Sequence, residues 1–63
     1  MQPNFDAVSE YTEELLAWAI RRCECIEDAE DLVSETQLAA LSYLARGGAI
    51  DDLRAWLFSV LRR

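Results

Sequence analysis

The fold of this chain is decided by residues 26–45, which read IEDAEDLVSETQLAALSYLA. Apolar side chains recur there at steps of three and four residues, and acids crowd the first turns, at the positive end of a helix dipole. Gly47 and Gly48 follow Arg46 and predict a left-handed stop. The stretch therefore predicts a long amphipathic helix from about Ile26 to Ala45. Its core stripe is predicted to contain Ile26, Ala29, Val33, Ala40 and Leu44.

Two further helices are predicted on either side of this one. Nine alanines and nine leucines outnumber the six isoleucines and valines, which favours helix over strand. We predict a first helix from about Asp6 or Ser9 to Cys25, and a third from about Asp51 to the end of the chain. The core stripes of these two helices are predicted to contain Val8, Tyr11, Leu15, Leu16, Ala19 and Cys23, and then Leu53, Trp56, Leu57, Val60 and Leu61. The predicted fold class is all-α, a three-helix bundle.

The 63 residues are enough for one small domain only. The apolar stripe of the third predicted helix runs to Leu61 without a glycine, asparagine or proline to stop it. We therefore expect the chain to be a segment of a longer domain. We also expect Trp56, Val60 and Leu61 on this stripe, together with Trp18, to expose apolar surface, so that the segment self-associates through the third helix at high concentration.

Composition argues against several functional classes. Twelve acids and six arginines give a net charge of −6, which disfavours autonomous binding to nucleic acid and favours a basic protein partner. Without histidine or lysine, no catalytic residues, metal site or cofactor is predicted. The acidic cluster near the start of the long helix is expected to be a solvated face; it contains Glu27, Asp28, Glu30, Asp31 and Glu35. No apolar run has the length of a membrane span. Cys23 and Cys25 suit free thiols in a reducing cytoplasm.

One face of the long helix is a candidate docking surface. At about 100° per residue, a single arc lies away from the core stripe. This acidic arc contains Asp31, Ser34, Glu35, Leu38 and Leu41. An apolar centre rimmed by charge is typical of a docking surface, although single exposed leucines are also common on ordinary surfaces. The pattern alone leaves both interpretations open.

Two motifs in this chain resemble a known family. Residues 28–36 read DAEDLVSET, a glycine turn follows, and residues 54–58 read RAWLF. This order and spacing resembles conserved region 2 of bacterial RNA polymerase sigma factors of the extracytoplasmic-function group, whose pattern is DAEDLVQETFLRAW, a short linker and FRAWLFRIARN. The resemblance covers about residues 26–62. The chain departs from the family's glutamine, aromatic residue and phenylalanine at Ser34, Gln37 and Leu53, respectively.

The resemblance implies a function and a partner. In that family the second helix packs on the arginine-rich clamp helices of the polymerase β′ subunit. Here Asp31 and Glu35 keep the family's acids, and Leu38 keeps its apolar residue. The family reads promoter DNA with a basic stretch beginning at the end of the third helix, of which Arg62 and Arg63 are present. Residues 1–63 would thus be the N-terminal part of a non-enzymatic, cytoplasmic sigma factor that lacks most of its DNA-reading segment.

The partners implied are the RNA polymerase core, promoter DNA in the full-length protein, and an anti-sigma protein as a candidate regulator. Two alternatives remain open at this point. The chain could be a free-standing acidic helical interaction module or adaptor that shares only the acidic helix motif. It could also be an acidic regulator that mimics nucleic acid, which the net charge of −6 favours but the two motifs do not.

Overall fold

The computed structural model describes residues 5–63, and the secondary structure of this part of the chain is entirely helical. Four helices follow one another: α1 (Phe5–Ser9), α2 (Thr12–Ile20), α3 (Ile26–Ala45) and α4 (Leu53–Leu61). Helices α1 and α2 together occupy the place of the first predicted helix. The predicted all-α class and three-helix arrangement are therefore confirmed, and the predicted bounds of the long helix α3 are correct. None of the four helices is long and apolar enough to cross a membrane.

The first predicted helix is interrupted and ends early. At the interruption, the backbone N–H of Glu10 donates to Ala7 and that of Tyr11 donates to Val8, three residues back in each case. Such tighter bonds replace the regular four-residue ladder and separate α1 from α2. The predicted continuation to Cys25 was wrong, because α2 ends at Ile20. Residues 21–25 form turns, and Cys25 has the extended backbone of an N-cap for α3.

A single hydrophobic core joins all four helices. Its buried side chains all lie on the predicted stripes: Val8, Leu15, Ala19, Ala29, Val33, Ala40, Leu57 and Leu61. Ile26, predicted on the stripe of α3, is 57% exposed because it is the first residue of that helix. Thr36 was missed, although its side chain is buried. Its hydroxyl donates to the Leu32 carbonyl at 2.9 Å, so its burial leaves no polar atom unsatisfied.

The connection from α3 to α4 depends on two glycines for different reasons. Gly47 has a φ of +89°, and its N–H donates to Leu44, while the N–H of Gly48 donates to Tyr43. These two bonds form a Schellman motif, which confirms the predicted glycine stop. The Tyr43 ring lies so close to Gly48 that a Cβ there would approach it to less than 3.0 Å. The same ring stacks on Trp56, with centroids 5.6 Å apart.

The start of α4 and its apolar stripe are both well packed. The Asp52 carboxylate accepts the backbone N–H of Ala55 at 3.1 Å, which makes Asp52 the N-cap of α4. Leu61 is buried, and Trp56 and Val60 are half-buried. The large exposed apolar side chains of the described residues, Ile20, Ile26, Leu38 and Tyr43, all lie outside α4. Self-association stays a prediction, but the stripe of the third helix, which was expected to mediate it, has no large apolar side chain that is exposed among the described residues.

Candidate protein-binding site

Helix α3 presents most of the acidic arc to solvent. Asp31, Ser34 and Glu35 are exposed, and Leu38 is 61% exposed. The fifth member, Leu41, is half-buried and packs against the hydrophobic core. The structure therefore brings four members together on one solvent-facing side, with Leu41 at its margin.

The arc is held by a firmly packed helix. Residues three and four apart are neighbours on a helix surface, so Leu38 lies one turn from Ser34 and Glu35, and Asp31 lies one turn before them. The opposite side of α3 packs into the core through Ala29, Val33 and Ala40, of which none is more than 3% exposed. A partner bound at the arc would therefore meet a helix whose backbone is already ordered.

An open groove adjoins the arc between α2 and α3. Its volume is about 450 Å³, and its lining contains Thr12, Leu16, Glu30, Asp31, Val33, Ser34 and Gln37. Asp31 and Ser34 belong both to the groove and to the acidic arc. Glu30 and Gln37 were not predicted as site residues, because the groove exists only where α2 packs beside α3. Glu30 and Gln37 are seven residues apart, which places them on the same face of α3, and this spacing is the one sequence signal that could have grouped them.

Gln37 joins α3 to the interruption between α1 and α2. Its side-chain amide donates to the Val8 carbonyl at 3.2 Å and to the Thr12 hydroxyl at 2.6 Å. The Thr12 hydroxyl in turn donates to the Ser9 carbonyl at 2.8 Å. The position where the resembling family has an aromatic residue thus contributes hydrogen bonds that fix the wall of the groove.

Charges on the arc have no partner within the described residues. The one ion pair among residues 5–63 joins Arg54 on α4 to Glu14 on α2, where the Arg54 Nε lies 2.7 Å from the carboxylate. The hydrogen bond and charge of Glu14 raise the pKa of Arg54 above its usual value. The carboxylates of Asp31 and Glu35 form no hydrogen bond or ion pair in this part of the chain. They are free to meet cations of a partner.

A comparison with protein families identifies the fold. A family model described as sigma-70 region 2 matches residues 7–63. The chain belongs to the sigma-70 region 2 family. No match was found among curated proteins or among solved structures. Membership of the family supports a sigma-factor role in RNA polymerase binding and transcription initiation, and sigma-70 region 2 is a non-catalytic domain. The match includes α2, for which the sequence motifs had given no residue-level agreement.

The two basic residues predicted to contact DNA in this sigma-70 region 2 chain lie far from the arc in sequence, directly after α4. Arg62 caps the end of α4, where its backbone N–H donates to the Phe58 carbonyl at 3.1 Å, and Arg63 follows it. Both side chains are exposed and form no ion pair with the described residues. No ion pair joins Arg62 or Arg63 to the carboxylates of the acidic arc.

The sigma-70 region 2 chain has no candidate metal centre among residues 5–63. No group of three or more cysteine, aspartate, glutamate or histidine side chains in that range could hold an ion. Cys23 and Cys25 are free thiols, the first half-buried and the second exposed. The arc and groove contain carboxylates, an exposed leucine and an adjacent recess.

Proposed function

We propose that this chain is the polymerase-binding part of a bacterial sigma factor of the extracytoplasmic-function group. In this proposal the acidic arc docks on the arginine-rich clamp helices of the polymerase β′ subunit. One observation carries it: Leu38 is 61% exposed on α3, in a chain of the sigma-70 region 2 family, and shares its face with two carboxylates that form no ion pair within residues 5–63. The site of action is the cytoplasm.

The physical basis of docking is a combination of apolar burial and charge pairing. Fully burying a leucine that was exposed stabilises a complex by about 1.5–3 kcal/mol, and more than half of the Leu38 side chain remains to be buried. Asp31 and Glu35 can each accept paired N–H groups of an arginine, and such charge-assisted bonds are stronger than neutral ones. The open groove beside the arc leaves room for a neighbouring side chain of the partner.

The full-length protein would direct initiation at specific promoters. Arg62 and Arg63 are the proposed beginning of its DNA-contacting stretch, at the opposite end of the chain from the first helices. In residues 1–63 the net charge is −6, so these two side chains alone are too few to hold duplex DNA. An anti-sigma protein would regulate such a factor if it covered the acidic arc.

The proposal is tested by measuring the affinity of the chain for isolated β′ clamp helices. We expect Asp31→Arg, Glu35→Arg and Leu38→Ala to weaken binding by about 1–4 kcal/mol each, which is roughly fivefold to a thousandfold. The matched control is Glu13→Arg, which makes the same charge change at an exposed position on α2. Circular dichroism should remain helical in all four variants.

Two outcomes would contradict the proposal. Unchanged affinity in all three arc variants would exclude the acidic arc as the docking surface. Failure of the unmodified chain to bind the clamp helices, together with binding to an unrelated basic helix, would favour the adaptor alternative.

A further inference from the structure

The two flanks of α2 differ in their chemistry. On one flank, Thr12 and Leu16 line the groove that α2 shares with the acids of α3. On the other flank, Glu14 pairs with Arg54 of α4, and the Trp18 ring meets the Phe58 ring edge-on with centroids 6.5 Å apart. The acidic arc and the α2–α4 surface therefore lie on different sides of the molecule.

The α2–α4 surface gathers arginines over aromatic rings. The Arg22 guanidinium lies 4.0 Å from the Trp18 ring centroid, and the Arg54 guanidinium lies 4.9 Å from that of Phe58. Arg21 is exposed and has no partner within the described residues. We call these five residues the arginine face. It contains three of the six arginines of a chain whose net charge is −6.

Stacking positions two of these guanidinium groups before any partner arrives. Arg22 also donates one N–H to the Trp18 carbonyl at 3.3 Å. A guanidinium held on a ring loses less side-chain freedom when it binds an anion, so more of the pairing energy remains as affinity. A shallow recess of about 230 Å³, lined in part by Trp18, Arg21 and Arg22, lies at the same place. The face is suited to carboxylates that flank an apolar side chain.

We propose that the arginine face of one copy binds the acidic arc of a second copy. The arc supplies what the face lacks, namely the unpaired carboxylates of Asp31 and Glu35 and the exposed side chain of Leu38. The arginine face and the acidic arc lie on different sides of α2, so the two surfaces of one molecule do not bind each other. Nucleic acid fits less well, because the net charge of −6 opposes a dense polyanion and guanidinium groups already lie over the rings.

This contact is heterologous, since different surfaces meet, and it therefore leaves a free arginine face at one end of a pair and a free acidic arc at the other. Assembly continues head to tail with rising concentration. At physiological ionic strength, charges more than about 8 Å apart are largely screened, so the local pairs outweigh repulsion between the net charges. If the proposed function holds, each contact also covers an arc that would otherwise bind polymerase.

Sedimentation equilibrium of the purified chain at up to millimolar concentration tests the inference. We expect the average mass to rise with concentration above the monomer value of 7.2 kDa. Neutralising one surface, with Arg21→Gln and Arg22→Gln together or with Asp31→Asn and Glu35→Gln together, should give a monomer in each case. An equimolar mixture of these two double variants keeps one intact face and one intact arc, so its mass should stop at that of a dimer.

The matched control is Arg46→Gln, which removes an exposed arginine outside the arginine face and should associate like the unmodified chain. A monomeric unmodified chain at millimolar concentration would overturn the inference, and so would double variants that associate as strongly as the unmodified chain. Salt-sensitive binding of a single-stranded oligonucleotide that is lost with Arg21→Gln and Arg22→Gln would assign the face to nucleic acid instead. Clamp-helix affinity at micromolar concentration, where we expect the chain to be monomeric, tests the proposed function separately.

Discussion

Replacing Gly48 with alanine tests how the structure packs the connection between α3 and α4. The backbone of Gly48 has no positive φ, so alanine is compatible with its conformation. The obstacle is the Tyr43 ring, because the new Cβ would approach three of its atoms to less than 3.0 Å. Carbon atoms in contact prefer about 3.5–4.0 Å, so the ring must move by roughly 1 Å.

The cost of that movement follows from what the ring now contacts. Tyr43 stacks on Trp56 at 5.6 Å with an angle of 27° between the rings, and such pairs contribute about 0.5–1.5 kcal/mol beyond their area. A side chain forced about 30° from its rotamer costs about 0.5–1.5 kcal/mol more. We therefore expect Gly48→Ala to lower the free energy of unfolding by about 1–3 kcal/mol. For a chain of this size, each kcal/mol lowers Tm by roughly 8 °C.

The assay is thermal and urea unfolding followed by circular dichroism, with and without Tyr43→Ala. In the Tyr43→Ala background, Gly48→Ala should leave the free energy of unfolding almost unchanged. Gly47→Ala is the matched control, since its cost of about 1–2 kcal/mol arises from the left-handed backbone and should persist in both backgrounds. The packing argument is refuted if Gly48→Ala costs as much without the tyrosine ring as with it.

Three further predictions concern the cap, the core and DNA. Asp52→Ala removes the acceptor for the Ala55 N–H and should cost about 1 kcal/mol in urea unfolding, whereas Asp51→Ala should cost less than half of that. Leu57→Ala leaves a cavity at a fully buried position and should lower the free energy of unfolding by about 2–5 kcal/mol. Helical circular dichroism at 37 °C as strong as in the unmodified chain would contradict this. Fluorescence anisotropy should detect no micromolar binding of residues 1–63 to duplex or single-stranded promoter DNA, and tight, salt-sensitive binding would contradict the charge argument.

The sequence predicted α3 and the core well because their signals are local. Acids in the first turns and Gly47 beyond the last turn marked both ends of α3, and the three- and four-residue spacing identified every buried apolar side chain of the core but not Thr36. The interruption at residues 10–11 has no glycine or proline to signal it. The interruption is stabilised by hydrogen bonds of Thr12 with the Ser9 carbonyl and with the Gln37 side chain. Because Gln37 lies 25 residues after Thr12, a pattern of neighbouring residues could not predict this bond.

The sequence could predict only those features of the candidate site that lie on a single helix. The position of Leu38 on a helical wheel was enough to predict its exposure, because the core stripe lies on the opposite side of α3. The half-burial of Leu41 depends on how neighbouring elements cover the margin of that face. The groove beside Asp31 and the arginine face arise where separate helices meet, so neither follows from the spacing of residues along one helix.

The central claim is that the acidic arc binds RNA polymerase, and binding of the fluorescently labelled chain to polymerase core tests it most directly. Leu38→Glu and Ile26→Glu make the same kind of change on α3 at side chains that are 61% and 57% exposed, but only Leu38 lies on the arc. We expect Leu38→Glu to weaken binding by at least about tenfold, which is 1.4 kcal/mol, and Ile26→Glu to leave it unchanged. Equal affinity of the two variants for the polymerase core would contradict the account.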